Sequence, residues 1–298
     1  MIKKKFKFKS DTVFSYTYLA PFLIAFFLFT ILPIIVSIFF SFTYFNVLEP
    51  PKWVFLQNYI KLFLSDDIFT IALKNTLIIA AIVGPVGYLM SLLFAWFINE
   101  LNNTLRTLMV LVFYAPSISG GVYTIWAIIF SGDSFGYANS LLLYLNIIDE
   151  PIQWLTDTKY MLWLVIAVML WQSLGAGFLS FVAGLRGIDH SYYEVGYIEG
   201  IRNRWQELWY VTLPCLRPQM MFGAVMSITS AFGSGAVTTA LCGTPSTDYG
   251  AHTILNHLTD YGTTRFDMGY ACAIATVLFS LMFVTNRVIQ KAITKIGQ

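Results

Sequence analysis

The residues of this chain that could do chemistry are few, and their spacing argues against catalysis. His252 and His257 are five apart, so they do not share one helical face as zinc ligands at i and i+4 would. They also lack a nearby carboxylate–histidine cluster, and they read as surface or loop-packing residues. Cys215, Cys242 and Cys272 are widely spaced and odd in number, which fits neither a disulfide framework nor a zinc site. They read as small buried apolar residues. Asp66-Asp67 reads as a helix cap or a solvated pair. No G-x-x-x-x-G-K-[ST] phosphate loop occurs, so the chain is not expected to bind ATP itself.

One segment has a different character. With one flanking residue at each end, Arg186 to Arg217 reads LRGIDHSYYEVGYIEGIRNRWQELWYVTLPCLRP. Tyr192, Val195, Ile198 and Glu199 have the spacing of a short amphipathic helix, which Gly200 can break. A second amphipathic stretch runs through Trp205, Leu208, Trp209 and Val211, and Pro214 and Pro218 mark the entry to the next apolar run. Two short helices joined at a glycine make a compact knob. Such a pattern suits recognition of a partner protein, and equally a segment lying on a membrane surface.

The rest of the chain must hold that knob in place, and its composition decides how. The residues are 57% hydrophobic and 11% charged, against roughly 25% charged in a soluble domain. So much apolar surface cannot be hidden inside a water-soluble protein of this length. A net charge of +2 lacks the concentrated basic patch that nucleic acid requires. The apolar stretch after the basic N-terminus is too long for a signal h-region of about 7–15 residues and lacks a small-residue cleavage pattern, so no cleavable signal is expected.

Crossing the hydrocarbon takes roughly 20 apolar residues. Six runs free of Asp, Glu, Lys and Arg are long enough: Thr12–Leu48, Asn75–Asn99, Thr107–Gly132, Tyr160–Leu185, Pro218–Thr247 and Met268–Asn286. In lipid such runs must be helical, since nothing else satisfies the backbone, so the sequence predicts an all-α polytopic membrane protein of six helices. With the N-terminus inside, 13 of the 18 Lys and Arg fall on the cytoplasmic side and five outside. The positive-inside rule therefore places both termini and the knob in the cytoplasm. Lys3 to Lys9 read as a topology anchor near anionic lipid.

Pro33, Gly84-Pro85, Gly87, Pro116 and Gly120-Gly121 interrupt the spans. Breaks of this kind line a pathway or are simply satisfied by neighbouring helices. Gln172, Ser227, Thr229 and Ser230, with Asn75 and Ser173, either face a path or pin helices together. The fifth-span group is favoured as substrate path because Gly223, Gly233 and Gly235 beside it suit close approach. Aromatics make up 17% of residues; they can stack on sugar faces and hydrogen-bond at their edges, or form interfacial belts.

In order, the knob residues resemble the cytoplasmic signature of binding-protein-dependent ABC importer permeases. Glu194, Gly200, Leu213 and Pro214 are similar to its E-A-A, G and L-P elements, and Trp205-Gln206 to its frequent W-Q pair. Glu199 stands where that family usually has Asp. Val195, Gly196 and Ile201 replace its usual alanines, and the stretch from Gly200 to Leu213 is one residue longer than its commonest spacing. The likeness extends further. Tyr18 to Thr43, FLQNYIKLF (Phe55 to Phe63), ALKNTL (Ala72 to Leu77), LRTLMVLVFYAPSISGGVYTIWAIIF with FGYANSLL, and FDMGYACAIATVLF (Phe266 to Phe279) resemble successive parts of sugar permeases of the maltose and glycerol-phosphate type.

That resemblance implies a type I ABC importer permease fold. Residues 1–70 would be cytoplasmic tail, first helix and external segment. Residues 71–291 would be a five-helix transmembrane domain carrying the coupling loop 186–217, and residues 292–298 a cytoplasmic tail. The loop would dock on an ATPase subunit through Glu194, Gly196, Glu199, Gly200, Leu213 and Pro214. The implied partners are a second homologous permease, two cytoplasmic ATPase subunits that bind the ATP, a lipid-anchored or periplasmic solute-binding protein, and membrane lipid. Asp248, Asp260 and Asp267 would then meet solvent or the binding protein. The expected activity is import of a sugar or oligosaccharide across the bacterial inner membrane by alternating access. Glycerol phosphate, a polyol or another polar solute is the alternative cargo. An ATP-independent carrier or channel would ordinarily place ionisable residues in its spans, and a membrane-embedded enzyme would gather nucleophiles and bases at one depth; neither pattern is found.

Overall fold

The computed structural model describes residues 7–295, with side chains described from Tyr16 onward. Of the basic anchor Lys3 to Lys9, Lys3, Lys4 and Lys5 lie outside the described residues, as do residues 296–298 of the C-terminal tail, while the backbone of Lys7 and Lys9 opens the first helix, Lys7–Phe26. Among the described residues, five helices are long and apolar enough to cross a bilayer: Tyr16–Phe40, Asp67–Asn99, Thr158–Arg186, Arg217–Cys242 and Met268–Ile293. A broken pair, Asn103–Ile118 with Val122–Ile129, bent by 85°, is apolar enough to count as a sixth when taken as one span. In chain order these are the first to sixth spans, the broken pair being the third.

Where the apolar runs fail as continuous helices, the reason is local. The predicted run Thr107–Gly132 carries Pro116 followed by Gly120-Gly121, and its helix stops at Ile118 and restarts at Val122. A run free of charges reports burial in lipid, not straightness. The fourth span pauses between Gln172 and Ala176, with Gly175 at φ −101 and ψ −139. The first run does not stay helical to Leu48: it leaves the helix at Phe40, and Thr43–Tyr44 pairs antiparallel with Lys52–Trp53. The fifth run breaks into Arg217–Phe232 and Gly235–Cys242, ending at Gly243 with φ +76. A π-helical turn, Phe27–Ile31, interrupts the first span just before Pro33.

Lipid tails are as apolar as leucine, so spans associate by close packing and hydrogen bonds rather than by escape from water. The second, fourth and fifth spans form the centre. A Cβ on Gly177 would stand 3.4 Å from Gly223 Cα, and one on Gly223 only 2.7 Å from Phe181 Cζ. Ser91 Oγ donates to Ser173 O at 3.2 Å, and Ser227 Oγ to Gly84 O at 2.8 Å. Phe178 and Phe181 are fully buried among them. Asn75 pins not a helix but the loop between the fifth and sixth spans, its amide donating to the carbonyls of Tyr249, Gly250 and His252.

Candidate functional site

The knob begins at His190–Ile198, capped by Asp189, whose carboxylate accepts from Ser191 N at 3.0 Å. That hydrogen bond holds the Asp189 carboxyl below the usual carboxylate range. The helix ends in a turn only glycine takes without strain: Gly200 has φ +95, Ile201 N donates to Gly196 O and Gly200 N to Tyr197 O. This is the left-handed close of a helix with its paired return bonds. The second helix starts at Asn203, which accepts from Gln206 N at 2.8 Å, while Gln206 Oε1 accepts from Arg202 N at 2.9 Å. The W-Q pair therefore owes its glutamine to capping.

The second helix runs Arg204–Glu207, then a π-helical turn Leu208–Thr212, then Leu213–Cys215. A π-turn takes up one residue more than an α-helical turn. Leu213-Pro214 follows this turn directly, at the mouth of the fifth span.

The six residues expected to couple fall into two groups. Glu194, Glu199 and Gly200 are exposed, alongside exposed Tyr192, Val195 and Ile198. Gly196 and Leu213 are buried and Pro214 is half-buried. Gly196 is where the two knob helices touch: a Cβ there would meet Ile201 Cδ1 at 3.0 Å and Val211 Cγ2 at 3.3 Å. Leu208, Leu213 and Leu216 share one apolar cluster with Leu92, Ala95 and Trp96 of the second span. The knob thus presents a polar and apolar crown outward and roots itself by its second helix.

Within the spans lies a cavity of about 340 Å³. Tyr88 and Ser91 of the second span, Tyr114 and Ser117 of the third, and Ser173 and Phe181 of the fourth form its walls. Gln172, Ser227 and Ser230 also line it. Thr229 does not: its side chain is exposed on another face, and its hydroxyl donates back to Val225 O at 2.9 Å. Adjacent positions on a helix point about 100° apart, which separates Thr229 from Ser230. Gln172 is held by both neighbours of the break in the third span, donating to Pro116 O at 3.3 Å and accepting from Tyr123 OH at 3.2 Å. Tyr88, which sequence reasoning left as one aromatic among many, has a buried hydroxyl without a hydrogen-bond partner. Among the described residues, no Asp, Glu, Lys or Arg lines this cavity.

A third cluster, at the ends of the spans opposite the knob, is not legible as a unit in the sequence. His252 and His257 pack in their loop but are not surface residues, being 4% and 1% exposed. His257 Nε2 lies 3.1 Å from Asp66 Oδ2, Tyr270 OH donates to the same oxygen at 2.7 Å, and His252 Nε2 lies 3.4 Å from His257 Nδ1. Burial pushes His252 down to about 4, helped by the neighbouring His257. Burial also lowers His257, outweighing Asp66. Burial alone would raise the Asp66 carboxyl; hydrogen bonds from Tyr270, Phe69 N and His257 outweigh it and bring it down. Asp260 pairs with Arg265 at 2.7 Å, and Asp267 caps the sixth span while standing 4.0 Å from Lys61. Asp248 has a left-handed backbone, φ 46.

Comparison with known proteins fits this arrangement. YesP of Bacillus subtilis (strain 168), a probable ABC transporter permease protein, is 33% identical over 97% of this chain and 93% of its own length. AraP of the same organism, an arabinooligosaccharides transport system permease protein, is 28% identical over 94% of this chain and 88% of its own. A chain from the crystal structure of a bacterial alginate ABC transporter, in complex with an alginate pentasaccharide-bound periplasmic protein, superposes with a TM-score of 0.76. That alignment covers 99% of this chain and 100% of the other at 22% identity, so the fold is shared. The family model for binding-protein-dependent transport system inner membrane components matches residues 83–295, spanning the cavity, the knob and the His252, His257 and Tyr270 part of the third cluster, and this chain belongs to that family.

Proposed function

We propose that this chain is the permease subunit that passes a neutral sugar or short oligosaccharide across the inner membrane, with both termini and the knob in the cytoplasm. The observation that carries the cargo class is the cavity wall, built from tyrosine and serine hydroxyls, one glutamine amide and aromatic faces, with no charged group among the described residues. Hydroxyl-rich neutral solutes need donors and acceptors for their edges and rings for their faces. A phosphorylated cargo would call for a cationic pocket. Relatives named for arabinooligosaccharide and lactose transport support the same class.

In this reading the exposed crown of the knob docks on a separate ATPase subunit that binds and hydrolyses the ATP. An external binding protein delivers cargo, and a second, homologous permease completes the path. ATP-driven closure of the ATPases moves the knobs and turns the cavity outward; hydrolysis resets it.

The test is reconstitution in nanodiscs with the candidate partner permease, ATPase and binding protein. ATPase rate is measured with arabinotriose, maltotriose, lactose or glycerol 3-phosphate on the binding protein. Stimulation by a neutral sugar, lost in Glu194→Ala with Gly200→Pro, supports the proposal. Stimulation by glycerol 3-phosphate alone overturns the cargo class. Variants that assemble and respond like the native protein overturn the role of the knob.

A further inference from the structure

The knob and the cavity are separate places, and the proposed function requires that movement of one reach the other. A cleft of about 470 Å³ stands between them: Tyr193 and Tyr197 of the first knob helix line one side, Trp96 and Asn99 of the second span the other. The first knob helix, which carries the exposed crown, therefore faces the second span across this cleft. Contact passes through the second knob helix, by its leucines and, at the very end of the span, by one charged and aromatic grip.

There, Arg204 Nε stands 3.4 Å from Glu100 Oε1, at the cytoplasmic cap of the second span. Its Nη1 donates to both carboxylate oxygens of Glu207, at 2.8 and 3.1 Å. One residue on, the Trp205 ring packs on Trp96 with centroids 5.2 Å apart. Trp96 is 7% exposed and belongs to the same apolar cluster as Leu208 and Leu213. The span end is itself closed, since Arg106 Nη2 donates to the carbonyls of Asn99 and Leu101, each at 2.7 Å.

Above this grip the second span continues without a break in its helix to Ser91 and Tyr88 on the cavity wall. Eight residues separate Tyr88 from Trp96, roughly 12 Å of helix at 1.5 Å per residue. Pro85, where the ring removes a backbone hydrogen bond, lies just beyond.

We infer that Glu100, Arg204, Trp96 and Trp205 form a transmission clamp, which makes the cytoplasmic part of the second span a lever between the ATPase-facing knob and the cavity. The inference rests on the function proposed above and deepens it. The ion pair is half-exposed, and exposed pairs contribute little to stability, so its loss disturbs coupling more than folding. The clamp residues are positioning residues: they touch neither nucleotide nor cargo.

The experiment needs no knowledge of the cargo. In the assembled complex, with Cys215, Cys242 and Cys272 changed to serine, Ser91→Cys reports on the cavity through its rate of modification by a small cationic thiosulfonate. The rate is compared without nucleotide and with vanadate-trapped ATP. In the otherwise native clamp the two rates differ at least fivefold. With Glu100→Lys plus Trp205→Ala they come within twofold of each other, while assembly and basal ATP hydrolysis stay unchanged. With Glu100→Asp plus Trp205→Phe the fivefold difference returns. A fivefold difference that survives Glu100→Lys plus Trp205→Ala overturns the clamp and leaves the proposed function standing. Loss of assembly in that variant reduces the contact to a structural one and also overturns the inference. No difference in the native clamp overturns the lever and the cavity reading together.

Discussion

His257 and Asp66 are 191 residues apart in sequence, yet Nε2 and Oδ2 stand 3.1 Å from each other in a buried contact. With the carboxylate accepting, His257 carries its proton on Nε2, and Nδ1 is left to accept from His252 Nε2, an assignment made from the hydrogen-bond network. Tyr270 OH completes the carboxylate, Tyr249 and Tyr261 flank the imidazoles, and Lys61 lies 4.2 Å over the Tyr270 ring. The network ties the first turn of the second span to the loop before the sixth span and to the sixth span itself.

This network makes stability depend on pH in a stated direction. An unfolded imidazole titrates near 6.5, and His252 is pushed down to about 4 by burial. Between those values the unfolded chain binds more protons, so stability falls as pH falls through that window and is flat above it. The lowered Asp66 carboxyl acts at more acidic pH in the same direction, its contribution being lost as pH drops through its folded value. Thermal melts of the purified subunit, followed by tryptophan fluorescence, should show a midpoint that declines from pH 6.5 to pH 4. His252→Asn should flatten that decline; an unchanged slope sinks the assignment.

The same network separates two neighbouring aspartates. Asp66 Oδ1 caps the second span, accepting from Phe69 N at 2.9 Å, and its other oxygen holds Tyr270 and His257, whereas Asp67 is exposed. Loss of an N-cap costs about 1 kcal/mol, and a buried hydroxyl left unsatisfied about 1–3 kcal/mol more. Asp66→Ala should destabilise the subunit by about 2–4 kcal/mol in denaturant or thermal titration, and Asp67→Ala by under about 0.5 kcal/mol. Equal effects of the two substitutions would contradict this geometry.

The contrast shows what a sequence of this kind makes legible. Lipid turns the absence of charge over long runs into helices, so the spans were readable, and the order Glu194, Gly200, Leu213-Pro214 located the knob. Breaks were less so, because Gly120-Gly121 and Gly175 permit a bend without requiring one, and only packing against Gln172 and its neighbours decides. The direction of Thr229 was lost for the same reason, since a hydroxyl can always return to its own helix. The Asp66–His257 contact left no local mark at all: what joins these residues is the docking of the loop between the fifth and sixth spans through Asn75 and Thr76.

Two glycines of the knob should respond differently to the same change. Gly200 has φ +95, a conformation costing an L-residue roughly 1–2 kcal/mol, so Gly200→Ala should unwind the turn and lower ATPase stimulation by the loaded binding protein severalfold. Gly196 is helical, and its added methyl meets only side-chain tips, Ile201 Cδ1 and Val211 Cγ2. These can shift by a few tenths of an ångström, while alanine favours the helix by about 0.5–1 kcal/mol. Gly196→Ala should leave stimulation within twofold of native. Stimulation measured on the assembled complex separates the two, and the reverse order would mean that the knob reorganises on docking.

The cavity offers a substitution that touches cargo and not folding. Tyr88 OH is buried without a partner, while the Tyr88 ring packs edge-on against Phe181 at 5.6 Å. An unsatisfied buried hydroxyl costs free energy in the empty protein, so removing it is neutral or stabilising. If a sugar hydroxyl is what satisfies it, Tyr88→Phe should keep the thermal midpoint and raise KM for uptake by roughly threefold to tenfold, the value of one hydrogen bond of about 0.5–1.5 kcal/mol. Gln172→Ala should behave otherwise. It releases Tyr123 and Pro116 O together, loosening the bend of the third span, so both stability and uptake should fall. Uptake in proteoliposomes beside thermal melts distinguishes the pair. A Tyr88→Phe variant with unchanged KM would move the cargo away from the second span.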